Sequence, residues 1–65
     1  MKDEDRLAYY LAEMSCWQRH MYDNLFVIMQ PQSIKEQCAL AWLSMTEIET
    51  AKNILVMAAR LRAMQ

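Results

Sequence analysis

The residues best suited to chemistry in this sequence are a thiol and an imidazole four positions apart, Cys16 and His20. On a helix this spacing puts both side chains on one face, where two metal ligands can act together, with Asp23 as a possible third. A structural zinc needs four ligands. The second cysteine, Cys38, is expected about 13 Å along the helix from Cys16 in the register derived below, too far to complete the site or to form a disulfide within one chain. We therefore predict neither a metal site nor a bound cofactor.

The same pair could in principle act as a nucleophile and its base. A catalytic pair also needs a third group that orients the base and a cleft that holds the substrate, and a chain of two helices supplies little of either. Glu47 and Glu49 are two residues apart on a helix and point in different directions, so they are not an acid–base pair. Phosphate-binding loops need glycine, and the chain has none. We predict that the protein is not an enzyme.

The strongest structural signal is the start of a helix after Pro31. Pro31 lacks an amide hydrogen and its ring crowds the preceding turn, so one helix must end near Met29 or Gln30. Ser33 followed by Glu36 then forms the pattern of a capping box. The residues after it are mostly strong helix formers, which predicts a second helix over about residues 34–64 with a turn at 31–33.

One point inside this second helix is weaker. Ser44 with Glu47, and Thr46 with Glu49, make two overlapping capping-box patterns, so a kink near Ser44 stays open. We favour a continuous helix, because no glycine or proline supports a break and Ser or Thr hydroxyls can bond back to a carbonyl within a helix.

The first helix is predicted over about residues 4–30. Its acidic start, Asp3 to Asp5, suits the positive end of the helix dipole, and Asp3 can serve as its cap. Asp23 and Asn24 favour turn conformations, so a bend near Asp23 is also left open.

The short connection predicts one all-α domain over residues 1–65, an antiparallel two-helix hairpin. Facing positions then have residue numbers that sum to about 63. The register pairs Leu7 with Leu55 and Val56, Met14 with Ile48, Leu25 with Cys38 and Ile28 with Ile34, and places Asp3 level with Arg60 and Arg19 near Glu47. The predicted core and dimer positions are Leu7, Tyr10, Leu11, Met14, Met21, Leu25, Ile28, Ile34, Ala41, Met45, Ile48 and Leu55.

Size and composition predict self-association. A 65-residue chain buries too small a fraction of its surface for comfortable stability, yet 55% of these residues are hydrophobic. The hairpin would leave a large apolar patch exposed. Its members include Tyr9, Tyr10, Trp17, Phe26, Val27, Trp42, Leu43, Ile54 and Leu61. We therefore predict a homodimer in which two hairpins form a four-helix bundle.

Seven methionines and several aromatic residues also favour contact with another protein, because such side chains adapt well to interfaces. The same residues could simply fill the bundle core. Four of them lie at the edges of the apolar stripes or outside them, and these are the candidate partner contacts: Tyr9, Trp17, Tyr22 and Met57.

The charges nearly cancel, with seven basic and eight acidic residues. We therefore do not predict direct nucleic-acid binding as the main function. It remains the alternative, because a small antiparallel hairpin dimer that binds paired RNA loops shows that this architecture can bind nucleic acid. No apolar run is long enough to cross a bilayer and none follows the first residues as a secretion signal would. We predict a cytoplasmic protein without a membrane partner, with its two cysteines reduced.

The sequence opens Asp3-Glu4-Asp5-Arg6-Leu7-Ala8-Tyr9-Tyr10 and continues with Ser15-Cys16-Trp17-Gln18-Arg19-His20. With these two segments, and as a short, glycine-free and helical chain, it resembles the small early proteins of lambdoid bacteriophages that are encoded between the exonuclease and excisionase genes. The resemblance implies an accessory protein made early in a bacterial host. It would influence the host cell cycle or the choice between lysis and lysogeny by binding other proteins.

Overall fold

Four helices make up the computed structural model, which describes residues 2–64. They are α1 (Asp3–Glu13), α2 (Cys16–Met29), α3 (Ile34–Thr46) and α4 (Ile48–Ala63), and no strand occurs among the described residues. The all-α class is therefore confirmed. The sequence predicted two long helices, and each of them is divided in the structure.

The first division lies at Met14 and Ser15, within the helix expected over residues 4–30. Ser15 caps α2: its hydroxyl accepts a hydrogen bond from the Gln18 amide at 3.2 Å, and the Gln18 side chain accepts one from the Ser15 amide at 2.9 Å. This is a complete capping box, and its pattern of Ser followed three residues later by Gln is visible in the sequence. A bend near Asp23 was left open by the sequence, and in the structure α2 continues through this position to Met29.

The connection around Pro31 agrees with the prediction. Gln30 ends α2 in the left-handed conformation, with φ 47°, a common way to close a helix. Ser33 caps α3, and its hydroxyl accepts from the Glu36 amide at 3.1 Å. The Glu36 carboxylate accepts a hydrogen bond from the Gln32 amide, one residue outside the expected capping box.

The second division lies at Glu47, so the preference for a continuous helix over residues 34–64 was wrong. Glu47 leaves the helical region, with φ −113° and ψ 59°, and makes no side-chain cap. The hydroxyls of Ser44 and Thr46 donate instead to the carbonyls of Leu40 and Trp42, at 2.9 and 2.8 Å. Such bonds to the preceding turn compete with the helical ladder and bend helices, which accounts for a break directly after them.

Helices α2 and α3 pack against each other, and one hydrogen bond between them joins positions that the predicted register pairs. The side-chain amide of Gln18 donates to the Met45 carbonyl at 3.4 Å, and these two residue numbers sum to 63. Leu25 and Cys38, which that register pairs, both belong to the buried core.

Helix α1 lies elsewhere than predicted. It packs mainly on α3 and runs in the same direction, because the Cys38 thiol donates to the Asp3 carbonyl at 3.2 Å while the Tyr10 and Trp42 rings lie 5.8 Å apart. Asp3 is therefore beside Cys38, not level with Arg60. The break at Ser15 explains the difference, because it lets α1 turn back along α3. The expected approach of Arg19 to Glu47 is replaced by an ion pair with Asp23 at 3.2 Å.

The buried core is small and centres on α2 and α3. Of the predicted core positions Leu7, Met21, Leu25 and Ala41 are buried, and Tyr10, Leu11, Met14, Ile34 and Leu55 are partly buried against them. Ile28, Met45 and Ile48 are also only partly buried. Further buried residues are Tyr22, Cys38, Leu40, Ser44 and Ala51.

Helix α4 packs against α2 and α3 through its first half and then projects beyond them. Ala51 is fully buried, whereas every residue from 59 to 64 is exposed. Arg60 and Arg62 lie in its last turn, as the sequence predicted, where they suit the negative end of the helix dipole. None of the described helices is both long and apolar enough to cross a membrane.

Candidate interaction surface

The side chains best suited to chemistry, Cys16 and His20, lie close together in the structure. Cys16, His20 and Asp23 share a shallow depression of about 400 Å³ at the start of α2. The Asp23 carboxylate is paired with Arg19. Within residues 2–64 no three His, Cys, Asp or Glu side chains are placed to hold one metal ion.

The two thiols lie in different surroundings. Cys16 is exposed at the first position of α2, whereas Cys38 of α3 is buried and its thiol donates a hydrogen bond to the Asp3 carbonyl of α1. Cys38 is therefore part of the contact that fixes α1 on α3. Neither cysteine forms a disulfide in the described chain.

An aromatic patch, defined as Tyr9, Tyr10 and Trp42, joins the outer faces of α1 and α3. The Tyr9 and Tyr10 rings are 6.3 Å apart at 62°, and the Tyr10 and Trp42 rings are 5.8 Å apart at 47°. Tyr9 is 57% exposed and Trp42 is 53% exposed. Exposed aromatic side chains held in contact like this are a typical feature of protein-binding surfaces.

A second aromatic position lies where α2 meets α4. Trp17 is about half exposed, and the Lys52 ammonium lies 5.5 Å from the centre of its ring. This cation–π contact links the two helices. Trp17 therefore presents an apolar surface with a positive charge beside it.

Tyr22 is not available at the surface. It is 5% exposed and its ring lies 5.9 Å from that of Phe26. Burial raises the pKa of Tyr22 above its ordinary value, and Asp23 and Cys38 act in the same direction while Arg19 opposes them. Tyr22 is therefore a core residue, and its prediction as a contact with a partner protein was wrong.

Exposed apolar side chains form a row along the end of α4 and its C-cap residue, Met64. We call residues 57–64 the α4 tail. Met57, Leu61 and Met64 follow one another at steps of four and three residues, which places them on one face of the helix. Leu61 is 60% exposed and Met64 is 83% exposed. Arg60 lies three residues after Met57 and so flanks this row.

A groove lies where α2 meets α3, beside the turn at Pro31. We call it the α2–α3 groove. Its volume is about 480 Å³, and its lining residues are Met29, Pro31, Glu36, Ala39, Leu40 and Leu43. Five of the six are apolar, and Glu36 is the charged residue among them.

The sequence predicts several exposed residues of this surface, but it does not predict which of them lie together. Tyr9, Trp17 and Met57 are exposed, as contact with a partner requires, although their role stays a prediction. Trp42 belonged to the predicted apolar patch, but its contact with Tyr10 depends on α1 lying on α3. The groove was missed, because Met29 and Glu36 are seven residues apart across a turn and only the fold gives them a common lining.

Comparison with known proteins identifies no relative. The chain matches no protein-family model, and no curated protein or solved structure matches it significantly.

Proposed function

We propose that this protein is a small homodimeric helical regulator or inhibitor that acts by binding another protein. The observation that carries the proposal is the amount of exposed apolar surface. Within the described part of this 65-residue chain, ten large hydrophobic side chains are at least 37% exposed. Single exposed apolar residues are normal, but several of these lie together on the aromatic patch and the α4 tail, and such clusters mark interaction sites.

A dimer would cover part of this surface. In the proposed assembly the α2–α3 hairpin is the centre of each copy, and helices of one copy pack against the hairpin of the other to form a shared bundle. Eight buried hydrophobic residues make a small core for one chain, so association would add stability that the monomer lacks.

The aromatic patch together with Trp17 is the proposed contact with a second, different protein. Aromatic side chains of this kind dominate the free energy of binding at many protein interfaces. The near balance of seven basic and eight acidic residues favours a protein over a nucleic acid as this partner. The resemblance to early phage proteins suggests a bacterial host protein of the cytoplasm.

The test is expression of the protein in a bacterium, with growth and cell division recorded and bound host proteins captured by a tag. We expect the intact protein to alter growth and to retain a specific host protein. Trp42→Ala should weaken both effects by about tenfold or more, as loss of an aromatic anchor does. Val27→Ala, at another exposed position, is the matched control and should leave both unchanged.

Two results would contradict the proposal. One is an unaltered host from which no protein is retained by the intact chain. The other is binding to nucleic acid that falls steeply as salt is added, which would favour the alternative of a nucleic-acid-binding regulator.

A further inference from the structure

The α4 tail and the α2–α3 groove are complementary in chemistry. The tail presents Met57, Leu61 and Met64 in one row, and the groove is lined by apolar side chains of α2, α3 and the Pro31 turn. Each is exposed in the single chain. Burial of either would remove apolar area from water, which is favourable in proportion to that area.

Their charges are complementary as well. Glu36 is the charged residue of the groove, and its carboxylate is oriented by the hydrogen bond that it accepts from the Gln32 amide. Arg60 flanks the apolar row of the tail. A helix laid in the groove with its apolar row inward would therefore bring a guanidinium close to a carboxylate, a pairing that favours bidentate hydrogen bonds.

We propose that the α4 tail of one copy docks in the α2–α3 groove of a second copy, and that the exchange is reciprocal. Each chain has one tail and one groove, so two copies can satisfy both contacts around a two-fold axis and the assembly closes as a dimer. The inference rests on the dimer proposed above and specifies how it forms. It assigns Met57 to the second copy and leaves the aromatic patch for a different protein.

The choice of a second copy follows from the match of features on one chain. The tail projects beyond its own core, where all residues from 59 to 64 are exposed. An apolar groove with one acidic residue is complementary to an apolar helix with a basic residue. The end of α4 is such a helix, and the helix dipole also favours positive charge there.

Charge reversal tests the pairing directly. Glu36→Arg places two positive groups together at both contacts of the dimer, and Arg60→Glu places two negative groups together. We expect each variant alone to dimerise about tenfold more weakly or worse, because an attraction becomes a repulsion at two sites. The measurement is the dissociation constant of the dimer from sedimentation over a dilution series.

Mixing the two variants distinguishes this contact from general damage to the fold. In a mixed dimer the arginine introduced at position 36 of one copy meets the glutamate introduced at position 60 of the other, and the native pair meets at the second contact. We expect the mixture, and also the double variant, to recover dimerisation to within about threefold of the native chain. Glu13→Arg makes the same charge change at an exposed position on α1 and should leave dimerisation unchanged.

The possible results distinguish failure of the contact between tail and groove from failure of the dimer itself. If the native chain is a dimer but neither reversal weakens it, or the mixture does not recover, the tail is not in the groove and this inference is overturned while the dimer stands. If the native chain remains a monomer at every concentration, both the dimer and the exchange are overturned.

Discussion

At the scale of single residues, Tyr22 shows how a short chain recruits a polar side chain into its core. Its ring is covered by α2 and α3 neighbours, and its hydroxyl is held in surroundings that favour the neutral form. A phenol in such a position couples folding to pH, because the unfolded chain ionises more readily than the folded one.

This coupling has a definite sign. The pKa of Tyr22 is raised above 10.0 in the folded state, so the stability due to its neutral form is complete below pH 10 and is lost as the pH rises through the folded-state pKa. We expect the free energy of unfolding in urea to fall more steeply above about pH 10 for the native chain than for Tyr22→Phe, which has no phenol to ionise. Equal slopes for the two proteins would show that Tyr22 is not shielded from water.

At the scale of helices, the cap at Ser15 decides the architecture, because it starts α2 directly after α1 has ended and so divides the single helix predicted over residues 4–30. Ser15→Ala should lower the free energy of unfolding by about 1 kcal/mol, since the first turn of α2 loses an acceptor. Ser15→Asp supplies another acceptor at the positive end of the helix and should retain most of that stability. Urea unfolding followed by circular dichroism gives both values.

The stability of the Ser15→Ala variant also distinguishes a break at Ser15 from one continuous helix over residues 4–30. In a continuous helix over residues 4–30, Ser15 would be an interior position, and alanine there would stabilise the helix by up to about 0.5 kcal/mol. A gain in stability for Ser15→Ala would therefore contradict the break at Met14 and Ser15.

Much of the fold could be predicted from short-range patterns. Pro31 and Ser33 locate the connection between α2 and α3 because both act within one turn of the chain. The short connection predicts which residues of α2 and α3 face each other. The hydrogen bond between the Gln18 side chain and the Met45 carbonyl agrees with that register. The break at Ser15 had an equally local signal in Gln18, which the stronger period of the apolar stripe concealed.

What could not be predicted depends on tertiary contacts. The position of α1 is set by Cys38, which donates to the Asp3 carbonyl, and by Tyr10 against Trp42, and each pair spans more than thirty residues. Competing hydroxyl bonds from Ser44 and Thr46 decide the break at Glu47, where propensity favours no break. The aromatic patch follows from the position of α1, so the sequence alone does not show that its members meet.

At the scale of the whole molecule, the balance between a small core and a large exposed apolar surface is the central feature. Leu25 and Ala41 are fully buried at the centre, while the aromatic patch and the α4 tail remain accessible. In the proposed dimer, association would add the stability that this small core lacks, so we expect folding and dimerisation to depend on each other and on protein concentration.

The most direct test of the proposed dimer is the solution mass over a dilution series, by sedimentation equilibrium, with helicity measured by circular dichroism on the same samples. Two chains of 7.7 kDa give a dimer of about 15 kDa. We expect that mass at high concentration, and on dilution a fall toward 7.7 kDa accompanied by loss of helicity. A fully helical 7.7 kDa species at every concentration would contradict the homodimer.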